Sequence, residues 1–287
     1  MNKKENNNPI RIIPFLDIKN GLLIKGINLE GLRVLGKAKD FSNFYYKNGA
    51  DEICYIDNVA TLYGTNNLSK FITDTAKDVF IPLSIGGGIR TIDDMKKIFS
   101  SGADKICINS SIIEKPSLLK EAAKIFGSAN IVIMIQAIKI DNKYYVSKAN
   151  GRDIVNINPV KWAKEVEQLG AGEIILTSVN NEGLKKGFDI NISKKVSNIV
   201  KIPVIAHGGA GSYKDIFDVI SQTKISGVGL ASILHYDALH YFSKLNPKVG
   251  NITFLRNVTK SKKKINVIEE VKKYLKQKNI NVRYEKK

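Results

Sequence analysis

The feature that most restricts what this chain can become is an internal repeat. Gly49-Ala50-Asp51-Glu52-Ile53 returns 121 residues later as Gly170-Ala171-Gly172-Glu173-Ile174. Ile81-Pro82-Leu83-Ser84-Ile85-Gly86-Gly87-Gly88 returns at the same offset of 121 as Ile202-Pro203-Val204-Ile205-Ala206-His207-Gly208-Gly209. Asp17-Ile18-Lys19 finds a counterpart in Gln136-Ala137-Ile138-Lys139, at an offset of 119 to 120. Self-similarity at a fixed period marks a duplicated structural unit. The second half of the chain is therefore read as a copy of the first.

Each copy contains four short β-rich runs separated by stretches of helical period, the pattern of βα units on a parallel sheet. The eight runs are Arg11–Asp17, Glu52–Asp57, Ile81–Ile85, Lys105–Ile108, Ile131–Ala137, Glu173–Thr177, Pro203–Ala206 and Ile225–Leu230. Among the amphipathic stretches are Asp94–Ser100, Ser117–Phe126, Pro159–Leu169 and Ser212–Ser221. Two open half-barrels would each leave unpaired sheet edges, so the copies are expected to close on one another. The predicted fold is an α/β (β/α)8 TIM barrel with pseudo-twofold symmetry. Residues 1–10 read as a flexible arm and 11–287 as a single barrel, with a Lys-rich insertion at about 245–264 and a last helix over Val267–Lys278.

Composition narrows the class of function. Of 287 residues, 43% are hydrophobic, enough for a sizeable core and too many for a disordered chain. The absence of a run of about 18 apolar residues argues against membrane insertion. Three Asn follow the charged start, where a secretory signal would have its apolar run, so a cytoplasmic protein is expected. Cys54 and Cys107 cannot make a disulfide framework or a four-ligand zinc site, and both lie in apolar strand-like runs. His235 and His240 lack any metal-site spacing, so neither a metal nor a cofactor is expected. The net charge of +18 calls for an anionic partner. Nucleic acid is not expected, because only Lys262-Lys263-Lys264 is dense in charge and no groove-reading or base-stacking element is recognisable. Trp162, Tyr45 and Tyr46 read as packing residues.

In such a barrel, functional groups collect at the C-terminal ends of the strands. Gly86-Gly87-Gly88 follows the third run and Gly208-Gly209-Ala210-Gly211 the seventh. Glycine permits close backbone approach and positive φ, and each loop precedes a helix whose amides can hold phosphate. Asn109-Ser110-Ser111 and Ala231-Ser232 supply small donors beside them. Two phosphate sites, one per half, suit a small ligand phosphorylated at both ends, with Thr177 at the mouth between them. Asp17 ends the first run as a candidate acid/base, and Lys25 is placed to reach a phosphate. Gln136, the counterpart of Asp17, cannot move protons. Asp57 is a second carboxylate with either a chemical or a structural use. At the opposite strand ends lie Arg11, Glu52, Lys105 and Glu173, four charges of alternating sign; spacing alone does not separate a functional ring from solvated strand-end charge.

Together these residues resemble the cyclase subunit family of imidazole glycerol phosphate synthase, HisF. The resemblance runs from about Arg11 to Ser232 and resumes in the final helix to about Arg283. It rests on Arg11-Ile12-Ile13-Pro14-Phe15-Leu16-Asp17, Gly86-Gly87-Gly88-Ile89, Gly102-Ala103-Asp104-Lys105, Pro116-Ser117-Leu118, Gly170-Ala171-Gly172-Glu173-Ile174 and Gly208-Gly209-Ala210-Gly211. It implies a barrel that binds the bis-phosphorylated ribulosyl-formimino aminoimidazole carboxamide ribonucleotide, PRFAR. Ammonia from a separate glutamine amidotransferase subunit of the HisH type would enter from below, through a gate of Arg11, Glu52, Lys105 and Glu173. The ligand is then cleaved to imidazole glycerol phosphate and AICAR, a lyase reaction of histidine biosynthesis.

The family's two catalytic aspartates align with Asp17 and Gln136, and the second is a departure. The family pattern there is Ile-Asp-Ala-Lys, where this chain has Ile135-Gln136-Ala137-Ile138. His207 stands in place of a small residue beside the second loop, and Asn180-Asn181-Glu182 replaces an Asp-Arg-Asp run. The resemblance suggests that His207 could donate to phosphate and Glu182 could partly replace the lost carboxylate. It also carries an alternative: paralogues of this family in surface-polysaccharide synthesis deliver ammonia that turns acetamido sugars into acetamidino ones.

Overall fold

The computed structural model describes residues 8–58, 68–243 and 267–284. Eight parallel strands close a barrel: β1 (Arg11–Lys19), β4 (Ile53–Asp57), β5 (Leu83–Gly86), β6 (Lys105–Ile108), β7 (Ile131–Ile140), β10 (Glu173–Ser178), β11 (Val204–His207) and β12 (Gly227–Leu230). Closure runs through β12 against β1, Arg11 opposite Gly227, and through β7 against β10, Glu173 opposite Val132. The expected runs beginning at Ile81 and Pro203 start their strands two residues and one residue later, after Pro82 and Pro203. Proline has no N–H to give a ladder, so the strand opens behind it.

Four further strands fall outside the eight expected. β2 (Leu22–Ile27) and β3 (Glu30–Lys37) extend β1 antiparallel, and β8 (Lys143–Lys148) and β9 (Asp153–Val155) extend β7. The two extensions sit on the first strand of each repeat, so the duplication includes them. Their turns use Asn20, Asn28, Asp141, Asn142 and Asn150 at positive φ. Asn and Asp tolerate this region better than other residues with a Cβ.

The helices are α1 (Ala38–Lys47), α2 (Leu68–Ala76), α3 (Ile92–Ser100), α4 (Ser110–Glu114), α5 (Ser117–Phe126), α6 (Pro159–Leu169), α7 (Ile190–Ile199), α8 (Tyr213–Gln222), α9 (Ser232–Ser243) and α10 (Val267–Gln277). The repeat persists in their capping. Thr91 and Asp94 close a capping box on α3, and Ser212 and Asp215 close one on α8. Each box satisfies N–H groups that a helix start leaves unpaired, and each follows one of the two glycine loops.

Two cores result from the period of 2 along the strands. On β1, Ile12, Leu16 and Ile18 pack outward against the helices, while Ile13 and Phe15 join Cys54, Ile56, Cys107, Met134 and others inside the barrel. Arg11 and Asp17 occupy the two ends of that inward row. Trp162 and Tyr45 are buried in the outer layer. The α10 helix is fastened to the bottom of β1: buried Lys272 donates to Gly49 O and to Asp51 Oδ1, both at 2.7 Å, and Asp51 Oδ2 accepts from Ile12 N–H at 2.7 Å. Part of the expected flexible arm is tied down as well, since Ile10 N–H donates to Asn281 O at 2.8 Å. Residues 1–7 of the arm and all of the Lys-rich stretch at 245–264 lie outside the described residues. Among the described residues, no helix is long and apolar enough to cross a membrane, and no cluster of three His, Cys, Asp or Glu could hold a metal.

Candidate functional site

The four strand-end charges come together under the barrel. Arg11 Nη1 donates to Glu52 Oε2 at 2.9 Å and its Nη2 to Glu173 Oε1, while Lys105 Nζ reaches Glu52 at 2.9 Å and Glu173 at 2.8 Å. Each cation thus bridges both carboxylates. Burial works against the charges of Arg11 and Lys105, but the two glutamates outweigh it and raise both pKa values. Burial likewise opposes ionisation of Glu173, and Arg11 and Lys105 reverse the balance so that its pKa is lowered. Arg11, Lys105 and Glu173 therefore stay charged at neutral pH. Ser84 also donates to Glu52.

Above the ring the interior is apolar, lined by residues such as Ile13, Cys54, Val132, Ile175 and Ile205. A neutral molecule the size of water or ammonia is tolerated by such surroundings far better than an ion. Near the top, the Phe15 ring stacks on His207 with centroids 3.9 Å apart, and Thr177 Oγ1 meets His207 Nδ1 at 3.1 Å. Burial, with Lys25 adding, lowers the His207 pKa to about 3, so the ring is neutral.

The first glycine loop borders an open cavity of about 250 Å³, whose walls include Gly87, Gly88, Asn109, Ser110 and Gln136. Gly87 has φ +104°, and a Cβ there would lie 2.3 Å from Asp57 O, so only glycine fits. Lys148 reaches the rim from β8, paired to Glu114 at 2.6 Å.

The second loop keeps the backbone shape and loses the space. Gly208, Gly209, Ala231 and Ser232 border about 10 Å³, room for one water. Gly187 N–H donates to Gly209 O at 2.8 Å, Asn181 Nδ2 donates to Gly187 O at 2.8 Å, and Glu182 lines the same space. The two expected phosphate loops therefore differ: one faces a cavity and the other is packed.

Asp17 is 3% exposed, and burial raises its pKa to about 6, with Glu182 adding to the rise and Lys25 and Asn58 opposing it. A carboxyl poised near neutrality suits general acid or base work. Lys25 is not presented to the cavity. It is buried against Glu182 and also donates to Gly26 O at 3.0 Å. The β2–β3 turn is drawn over the same carboxylate, with Leu29 N–H on Glu182 Oε2 at 3.1 Å and Asn28 N–H on Glu182 O at 3.0 Å. Asp17, Lys25 and Thr177 border neither cavity. What the site brings together is a charged ring, an apolar bore, one near-neutral carboxyl and a glycine loop beside a polar cavity.

Comparison with known proteins places this arrangement. The profile of the histidine biosynthesis protein family matches residues 11–240. The chain belongs to that family. Its relatives include the imidazole glycerol phosphate synthase subunit HisF of Legionella pneumophila, 46% identical over 72% of this chain and 98% of the relative. The subunit of the same name from Petrotoga mobilis is 42% identical over 79% and 90%. That of Sulfolobus acidocaldarius is 40% identical over 84% and 95%.

For this histidine biosynthesis barrel, Gln136 is a well-held side chain on the cavity wall. Its Oε1 accepts from Gly151 N–H at 3.0 Å, and Ser147 Oγ donates to Gln136 O at 3.3 Å. Several contributors were not singled out from sequence. Asn58, 5% exposed, acts on Asp17. His235, buried and with its pKa lowered to about 3, donates from Nε2 to Phe15 O at 3.0 Å and accepts from Tyr45 at 2.6 Å. The β1–β12 ladder has ended at Pro14, so this donor steadies the strand end that carries Asp17. A lone His and a lone Tyr far apart in sequence give no local signal of such a bond. The glutamate-for-aspartate change at Glu182 was visible, though its partner Lys25 lies 157 residues away.

Proposed function

We propose that the protein is the cyclase subunit of an imidazole glycerol phosphate synthase, a cytoplasmic lyase of histidine biosynthesis. It would take ammonia from a HisH-type glutamine amidotransferase and convert PRFAR to imidazole glycerol phosphate and AICAR. The observation that carries this reading is the line from the closed charge ring, through an apolar bore, to a carboxyl with a pKa near 6. A HisH-type subunit would dock below, around Arg11, Glu52, Lys105 and Glu173. Separation of a glutamate from its cationic neighbours would open the ring, and the bore above favours neutral ammonia over ammonium. Asp17 would hold or accept the proton at the mouth. Gly87, Gly88, Asn109 and Ser110 would bind one phosphate; Gly208, Gly209, Ala231 and Ser232 would bind the other after Glu182 and the β2–β3 turn withdraw, freeing Lys25. The three relatives, each an imidazole glycerol phosphate synthase subunit HisF, support the same reading.

Gln136 and the packed second loop favour a second reading. There the barrel still delivers ammonia but acts on another anionic substrate, an acetamido sugar converted to an acetamidino one. Purified protein given PRFAR and an ammonium salt separates them. The cyclase reading expects slow loss of PRFAR that scales with ammonia. No loss at any ammonium concentration would end it and leave the second.

A further inference from the structure

The barrel interior holds two thiols that the chemistry above leaves unused. Cys54 on β4 and Cys107 on β6 are 0% and 1% exposed, and their Sγ atoms lie 4.0 Å apart. The strand between them explains the meeting. β5 pairs with both and gives the inward row only Ser84 and Gly86, while Leu83 and Ile85 pack on the helix side. Gly86 stands opposite Cys107, and an added Cβ would lie 2.9 Å from Cys107 Cβ, so the missing side chain leaves the space in which the thiols approach. They are the only cysteines in the sequence.

A disulfide does not fit. Neighbouring strands are about 4.8 Å apart, so strands separated by a third are roughly 9 Å apart, beyond the ~7 Å between Cα atoms that a disulfide can span. A bridging ion does fit. Two metal–sulfur bonds of about 2.3 Å to atoms 4.0 Å apart enclose an angle of about 120°. Zinc is a poor match, because it takes four ligands and no cluster of three His, Cys, Asp or Glu exists among the described residues. Thiolates suit a soft monovalent ion, and Met134 brings a thioether to the same interior cluster. Cys107 and Met134 also border the open cavity of about 250 Å³, which gives an ion a way in from solvent. Burial holds the Cys54 thiol protonated at neutral pH and so poorly nucleophilic. Coordination displaces such a proton, because a metal-bound thiol is deprotonated.

We propose that Cys54 and Cys107 form a site for a soft monovalent cation, cuprous ion being the biological one, held between their two sulfurs inside the barrel. Each thiol releases its proton to solvent and gives its sulfur electron pair to the metal, with no change of oxidation state. The site lies between Glu52 of the charge ring and Asp17 at the mouth, since Cys54 stands opposite Phe15 in the β1–β4 ladder. An ion there obstructs the passage of ammonia, a consequence that rests on the reading given under Proposed function; the binding itself does not.

The reduced whole chain is titrated anaerobically with cuprous ion against the chelator bicinchoninate. Binding is read from the colour of the chelator and from thiolate-to-copper absorption in the near ultraviolet. Wild type is expected to hold about one ion per chain at the thiolate pair. Cys54→Ser and Cys107→Ser should each weaken retention by at least about 100-fold, the upper end for groups that merely brace a metal ligand. The corresponding alanine variants take their place if a buried hydroxyl prevents folding. Zinc ion should bind wild type no more tightly than it binds the variants. Loss of all copper to the chelator, a folded single variant that retains copper as wild type does, or zinc binding that depends on the two cysteines would overturn the assignment. No PRFAR, ammonia or glutaminase enters the titration, so its failure and a failure of the cyclase reading are separate results.

Discussion

Replacing Asp17 with Asn is expected to lower ammonia-dependent turnover by about 10²–10⁴-fold, the usual worth of a positioned acid or base, while making the protein more stable at neutral pH. The two effects have one cause. Burial raises the Asp17 pKa from 3.8 to about 6, so the folded state holds a proton that the unfolded chain has lost over that interval. Stability contributed by this group is therefore present in full below pH 3.8 and declines as pH rises through about 6. Asn keeps the shape and removes the ionisation. The gain at pH 7.5 is at most about 3 kcal/mol, from roughly two pK units at about 1.4 kcal/mol each. Urea unfolding at pH 7.5 and pH 4 checks it, with the difference between variant and wild type shrinking at pH 4. Turnover in the wild type should climb through pH 6 and then level. A variant less stable than wild type at pH 7.5, or one retaining a third of the activity, would remove Asp17 from this role.

The second large effect concerns the buried Lys25–Glu182 pair beside the second glycine loop. Glu182→Ala strips Lys25 of its carboxylate and Leu29 N–H of its acceptor, at a depth where both side chains are 1% exposed. Removing one member of a buried ion pair typically costs about 3–5 kcal/mol, because the other charge is left uncompensated. The double variant Lys25→Met with Glu182→Leu should recover most of that loss, since it leaves no orphaned charge. Unfolding by urea distinguishes the outcomes: a cost below about 1 kcal/mol for Glu182→Ala would mean that water already screens the pair. Glu182→Gln tests the functional side. It keeps the hydrogen bond to Leu29 but weakens the hold on Lys25, and should tighten inorganic phosphate binding.

Much of this arrangement is legible in the chain. The offset of 121 residues implies two matched halves, and it carries through to the Thr91 and Ser212 capping boxes. The strand starts at Arg11, Lys105 and Glu173, with Glu52 just before β4, left a functional ring and solvated strand-end charge both open on spacing alone, and the resemblance to the cyclase family favoured the ring. The hairpins were harder to see. Leu22–Lys37 and Lys143–Val155 lie outside the eight β-rich runs, and show as hairpin strands only once Asn28 and Asn142 are recognised as turn residues at positive φ. Long-range pairings left no local trace: Lys25 with Glu182, and Tyr45 with His235, depend on where distant loops come to rest. The same holds for the second glycine loop. Its composition promised a phosphate site, and only the packing of Gly187, Asn181 and Glu182 against it revealed that its space is filled.

In the proposed cyclase reading Asp17 is the one acid/base at the mouth, because Gln136 cannot transfer a proton. The most direct test is the initial rate of PRFAR loss with ammonium salt for Gln136→Asp against wild type, at pH 7.5. The account predicts a rise of about 10²–10⁴-fold as the second acid/base returns. A rate equal to or below that of wild type would contradict it.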